Sequence, residues 1–289
     1  VLVPHRVAVN RIETESIPLE PHETFCVQTS INFVDSIWEI FSTWRIGRPI
    51  LLLGYAPATD LGKWLVNLNK HQVTRLLMVP SVLRTLLEGN YDLSTQVPSL
   101  RRVICTGEPL PVDLVHRFIE ATEDKELLNL YGTTETWDIS QWSAERLGAD
   151  SAPIGTPLPN IQVYVVDSKL TLAPEGANGE LYIAGDGLSL GYWKRQALTA
   201  TKYLPNPWSP IPGVRMFRTG DLARWSIDGQ LAFRGRRDDQ LTVRGYRLEP
   251  AEIEIILREV HAVRNAAVKL DSQGRLVAYC EPHPGETVS

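Results

Sequence analysis

Four short apolar runs, Ile50–Leu53, Leu76–Val79, Val103–Thr106 and Leu127–Leu130, are separated by segments whose apolar residues recur at helical spacing. Strands buried on both faces read as continuous apolar runs, and parallel neighbours need a crossover, usually a helix, between them. The alternation therefore predicts a parallel sheet covered by helices. Local signals agree. Ser36 and Glu39 form a Ser-x-x-Glu pattern that predicts a capping box, opening a helix with Ile37, Phe41 and Trp44 on one face and ending at Gly47. Asp60 is placed to cap a helix carrying Leu61, Leu65 and Leu68. Ser81, after Pro80, starts another, and Pro111 suits the first position of a helix carrying Val115, Phe118 and Ile119.

The pattern changes near residue 150. Helical spacing gives way to short strands at Ile161–Val166, Leu181–Ala184, Met216–Arg218, Leu222–Trp225 and Leu231–Arg234, with prolines crowding the connections. Asp228-Gly229 between the last two is a strong hairpin signal. This stretch predicts a small antiparallel barrel or curled sheet. A charged run at Arg236-Arg237-Asp238-Asp239 comes next, then a helix near Pro250 with Ile253, Ile256 and Leu257 inward, and strands at Ala266–Leu270 and Leu276–Cys280. The expected division is an α/β sheet subdomain over 1–150, a β-barrel subdomain over 151–237, and a hinge with part of an α+β subdomain over 238–289.

A length of 289 residues with 43% hydrophobic content allows a sizeable core. A net charge of −5 gives no electrostatic ground for expecting nucleic acid. Three dispersed cysteines, Cys26, Cys105 and Cys280, show neither metal-ligand nor disulfide spacing, so a reducing, cytoplasmic setting is expected. No apolar run reaches transmembrane length, and the first residues lack the apolar stretch of a signal peptide, so no membrane partner is expected.

The string Asn129-Leu130-Tyr131-Gly132-Thr133-Thr134-Glu135 stands where a strand should give way to a loop, the usual ligand side of an open α/β sheet. Its parts suit a nucleotide. There is a ring that can stack, a glycine permitting close backbone approach, two hydroxyls, and a carboxylate suited to Mg²⁺ beside phosphate oxygens. Downstream come Gly179-Glu180-Leu181-Tyr182-Ile183-Ala184-Gly185, Phe217-Arg218-Thr219-Gly220-Asp221-Leu222 and Gly235-Arg236-Arg237-Asp238-Asp239-Gln240-Leu241-Thr242-Val243-Arg244-Gly245-Tyr246-Arg247-Leu248-Glu249. These strings, in this order, resemble the adenylate-forming superfamily, and most closely the adenylation domains of nonribosomal peptide synthetases.

The resemblance implies an acid–AMP ligase using ATP and Mg²⁺ and delivering its product to a phosphopantetheinyl carrier protein. It implies that Tyr131 stacks on the adenine, Thr134 contacts the α-phosphate, Glu135 holds Mg²⁺, Asp221 grips the ribose hydroxyls and Arg236 reaches the ribose and phosphate. Asp238 matches the hinge aspartate about which the family's C-terminal subdomain turns. Thr242 stands near where the family usually has a lysine. The family's phosphate loop is expected just before Val1 and its C-terminal lysine beyond Ser289.

The substrate stretch is Phe33-Val34-Asp35-Ser36-Ile37-Trp38. Family members with α-amino acid substrates usually carry the carboxylate directly after the Phe; here Val34 takes that place and Asp35 follows. One residue along a helix is a rotation of about 100°, so the charge meets an ammonium at a different depth. Val-Asp followed by Trp resembles the pattern associated with β-alanine and other β-amino acids. The same resemblance places Leu77, Ile104, Thr106 and Leu130 in the pocket, with Asp138 as a further carboxylate. A buried Asp35 would need a cationic partner, and no Lys or Arg lies close to it in sequence. Two other readings stay open: an acyl-CoA synthetase of the same superfamily, and a non-catalytic binding module.

Overall fold

The computed structural model describes residues 1–14, 22–53, 60–89, 91–122, 124–144, 152–271 and 274–287. The expected boundary at residue 150 lies outside them. The chain forms two compact units, Val1–Gly235 and Arg236–Ser289.

The first unit begins with α1 (His5–Glu13), β1 (Cys26–Val27), α2 (Asp35–Arg45) and β2 (Leu51–Leu52). α3 (Leu61–Lys70), β3 (Arg75–Met78), α4 (Pro80–Glu88), α5 (Leu93–Gln96), β4 (Arg102–Cys105), α6 (Val112–Ala121) and β5 (Glu126–Thr133) follow. β6 (Trp137–Ser143) and β7 (Thr156–Pro157) complete one sheet, ordered β3-β4-β5-β6-β7. Its first three strands are parallel and the rest antiparallel. The sheet is thus mixed, not wholly parallel. β5 does not stop at the nucleotide-type string but runs through it and returns as β6. The expected strand at Ile50–Leu53 shortens to β2, which among the described residues pairs with β1 in a two-stranded sheet, and Leu52 is 74% exposed.

The parallel strands are in register, Leu76 beside Val103 beside Leu127, and Leu77 beside Ile104 beside Leu128. Successive strand residues point to opposite faces. The first trio packs with Trp64, Leu65, Leu83, Leu86, Leu114 and Phe118 from α3, α4 and α6. The second packs with Phe25, Trp38 and Leu130. Asp60 caps α3 as expected, accepting from the Lys63 amide at 3.0 Å.

α2 departs from its reading in two ways. Its N-cap is Val34, with no side-chain cap. Ser36 Oγ donates back to the Phe33 carbonyl at 2.7 Å, and the Glu39 carboxylate accepts from the Thr29 amide and hydroxyl at 3.1 and 2.9 Å, so no capping box forms. The buried face carries Ser36, Trp38, Glu39, Ser42 and Thr43, while Phe41 and Trp44 are 47% and 59% exposed. The hydroxyls can be buried because Ser42 and Thr43 donate to carbonyls one turn back, Trp38 at 2.5 Å and Glu39 at 3.2 Å.

The second sheet is antiparallel, built from β8 (Ile161–Val166), β9 (Gly179–Gly185), α7 (Gln196–Lys202) with β10 (Tyr203–Pro205), β11 (Arg215–Trp225) and β12 (Leu231–Arg236). Its order is β10-β11-β9-β8 with β12 on β11. The two strands expected at 216–218 and 222–225 are one, β11, interrupted by a bulge between Arg218 and Leu222. Gly229, at φ +75°, turns β11 into β12 at the expected hairpin.

The second unit holds β13 (Leu241–Val243), β14 (Tyr246–Leu248), α8 (Pro250–Arg258), β15 (Val263–Leu270) and β16 (Leu276–Pro282), the last two paired antiparallel. Ile253 and Leu257 are half-buried, but Ile256 is exposed, contrary to its expected inward position.

Candidate active site

The nucleotide-type string forms the end of β5 and a tight hairpin into β6. The Thr136 amide donates to the Thr133 carbonyl at 3.1 Å, closing the turn. Trp137 begins the return strand at φ +55°. A Cβ at position 132 would lie 2.0 Å from the Trp137 carbonyl oxygen, so only glycine fits there. The turn leaves Thr134 exposed and buries Glu135. Tyr192 holds Glu135 by donating its hydroxyl to Oε1 at 2.7 Å, and the Ser189 amide donates to the Glu135 backbone carbonyl at 2.9 Å.

Tyr131 and Asp221, ninety positions apart, meet directly: the tyrosine hydroxyl donates to the carboxylate. The Tyr131 ring lies 6.4 Å from that of Phe233. Asp221 is buried on the bulged part of β11, where Gly220 takes φ +82°. A bulge re-aims the side chains of its strand. Thr219 Oγ1 fixes the bulge, donating to the Leu181 carbonyl at 2.8 Å and accepting from the Asp221 amide at 2.9 Å. Tyr131 comes from the mixed sheet and Asp221 from the antiparallel one, so this hydrogen bond joins the two.

The expected substrate residues also converge. Trp38, Leu77, Ile104 and Leu130 belong to one buried cluster. Half-buried Thr106 follows β4, its amide donating to the Met78 carbonyl at 3.2 Å. Val34 and Asp35 open α2, and Asp138 comes in from β6. The nearby cation is Arg11, on the buried face of α1, paired with Asp138 rather than with Asp35. Its Nε donates to Asp138 Oδ2 at 2.7 Å, and its guanidinium carbon lies 4.2 Å from the centre of the Trp38 ring. Asp35 retains some surface exposure, yet its carboxyl is densely enclosed. Desolvation, helped by the charge of Asp138 and opposed by Arg11, pushes it up to about 7. Burial likewise pushes Glu39 up to about 8, against the hydrogen bonds from Thr29.

Arg236 and Asp238 fall in the second unit and pair with each other in two-point fashion, Nε to Oδ1 at 2.6 Å and Nη2 to Oδ2 at 2.9 Å. Among the described residues, no cluster of three or more His, Cys, Asp or Glu side chains is arranged to hold a metal.

A family model described as AMP-binding enzyme matches residues 1–193. The chain belongs to the AMP-binding enzyme family. This AMP-binding chain is 39% identical over 281 residues to the vanchrobactin synthetase VabF of Vibrio anguillarum, covering 93% of the chain and 10% of that protein. The crystal structure of IdnL1 superposes on it with a TM-score of 0.90 at 26% identity, over 100% of the chain and 60% of that structure. The Vibrio cholerae adenylation domain AlmE, solved with glycyl-adenosine-5'-phosphate, gives 0.82 at 26% identity over 96% and 54%. Its likeness within the family is to adenylation domains of nonribosomal peptide synthetases, and it spans a small fraction of the curated relatives it matches. The family match ends before Asp221, whose place beside Tyr131 comes from the fold.

Two residues of this candidate site escaped the sequence reading. Tyr192 follows Gly191 in a stretch with no periodic signal. Arg11 lies four residues after Val7, and these two are the buried positions of α1, but no sequence signal marks an arginine as buried. No helix among the described residues is long and apolar enough to cross a membrane.

Proposed function

We propose that this chain carries out ATP-dependent activation of a β-amino acid, β-alanine first, and passes the acyl-adenylate to a carrier-protein phosphopantetheine thiol. The observation that carries the substrate reading is the pocket's charge: Asp35 and Asp138 face a single guanidinium, Arg11. One negative charge is left to meet a substrate ammonium, and Asp35 presents it one helical step beyond Val34.

The substrate acid is ionised at neutral pH, so no general base is needed. Its carboxylate oxygen attacks the α-phosphorus and pyrophosphate leaves with the electron pair of the broken P–O bond. Tyr131 and Asp221 would hold adenine and ribose, a carboxylate being well suited to accept from two vicinal hydroxyls. Exposed Thr134 would donate to the α-phosphate. Glu135, oriented by Tyr192, would hold Mg²⁺, which neutralises phosphate charge when bound. Catalysis on this reading is positioning and charge stabilisation.

ATP–pyrophosphate exchange in the complete adenylation unit, across β-amino, α-amino and amine-free acids, tests the proposal. Highest turnover with β-alanine is expected; preference for an α-amino acid or for an amine-free acid would refute the reading. Assaying the acyl-adenylate with free coenzyme A and with a holo carrier protein separates the synthetase reading from that of an acyl-CoA synthetase.

A further inference from the structure

Arg11 is the one basic residue ion-paired with a pocket carboxylate among the described residues: it pairs with Asp138, its side chain 4% exposed against 7% for Asp138, and its charge also acts on Asp35. It is held on two sides: Nε on Asp138 at 2.7 Å, and the guanidinium over the Trp38 ring at 4.2 Å. A flat cation can stack and donate at the same time, which a lysine ammonium does less well. Three elements thus bring charge to one place, α1 with Arg11, α2 with Asp35 and β6 with Asp138. With all three groups ionised the sum is −1.

Uncompensated charge in a buried site is costly, so the sum decides which ligands fit. One ammonium brings the pocket to neutrality and a second overshoots. We propose that Arg11 sets the charge count of the substrate pocket: from the protein side it fills the place of a second substrate cation, so the site takes acids bearing one amine and discriminates against diamino acids. The proposal rests on the reading of Asp35 as the ammonium partner. Arg11 acts through Asp138 and is a specificity-determining residue, not a catalytic one.

The test compares β-alanine with 2,4-diaminobutyrate, whose two amines are both charged near neutral pH, by pyrophosphate exchange in the complete adenylation unit, for wild type, Arg11→Gln, and Arg11→Gln combined with Asp138→Asn. ATP affinity by calorimetry reports whether each protein is folded. Wild type should favour β-alanine. Arg11→Gln should move the ratio of kcat/KM values at least tenfold towards the diamino acid, and the double variant, whose charge sum is again −1, should move it back. An unchanged ratio in a folded Arg11→Gln protein overturns the proposal while leaving the Asp35 reading standing. A wild type that prefers an amine-free acid overturns both. Should Arg11→Gln fail to fold, Arg11→Lys decides: it keeps the charge sum, so it should keep the β-alanine preference, and a shift to the diamino acid would contradict the proposal.

Discussion

The Tyr131 hydroxyl donates to the Asp221 carboxylate, and this contact ties the end of β5 in one sheet to the bulge of β11 in the other. If Asp221 grips the ribose, Asp221→Asn should weaken nucleotide binding by about 1.5–3 kcal/mol, the range for hydrogen bonds to a charged group. Tyr131→Phe keeps the ring and loses only the hydroxyl, so it should cost about 0.5–1.5 kcal/mol. The KM for ATP of each variant, at saturating amino acid, checks both values and their order.

Gly132 is a second point of rigidity. Any side chain there meets the Trp137 carbonyl, backbone that cannot swing aside. Gly132→Ala should destabilise the first unit by about 1–3 kcal/mol, as overpacking does, and displace Glu135 with it. Urea unfolding measures the first effect.

The alternation of strand and helix and the hairpin at Asp228-Gly229 were legible because each is a local or periodic signal. The burial of α2 was not. Its Ser42 and Thr43 hydroxyls satisfy themselves within the helix, so a polar face could turn inward where periodicity favoured Phe41 and Trp44. Arg11 was illegible for another reason. Its partner Asp138 is 127 residues away, and no local pattern encodes such a pairing. The return strand β6 was missed because Trp137 enters it through a left-handed backbone conformation that side chains other than glycine rarely adopt.

Asp35 and Glu39 give stability a pH dependence of known sign. Both carboxyls sit higher in the folded protein than unfolded, about 7 against 3.8 and about 8 against 4.5. The folded state therefore binds more protons across this window, and stability should fall as pH rises from about 4 to about 8. Asp138 and Arg11 face Asp35, and Thr29 and Asp35 face Glu39, so the two titrations interact. Glu39→Gln should flatten the upper part of the decline. Urea midpoints between pH 5 and 8 for both proteins check it.

The junction of the two compact units, Gly235 to Arg236, lies beside the exposed run Arg237–Asp239. Limited trypsin digestion is expected to cut there first and leave a stable fragment close to residues 1–235. Early cuts within β3 to β5 instead would contradict a hinge at Asp238.

Pyrophosphate exchange with β-alanine, run side by side on the complete adenylation unit and its Asp35→Asn variant, tests the central claim most directly. The account predicts that Asp35→Asn lowers kcat/KM for β-alanine by about 1.5–3 kcal/mol, roughly 10- to 150-fold, as loss of a charge-assisted hydrogen bond would. The KM for ATP should stay unchanged. An Asp35→Asn protein that kept full β-alanine activity would contradict it, leaving Asp35 as no more than the first residue of α2.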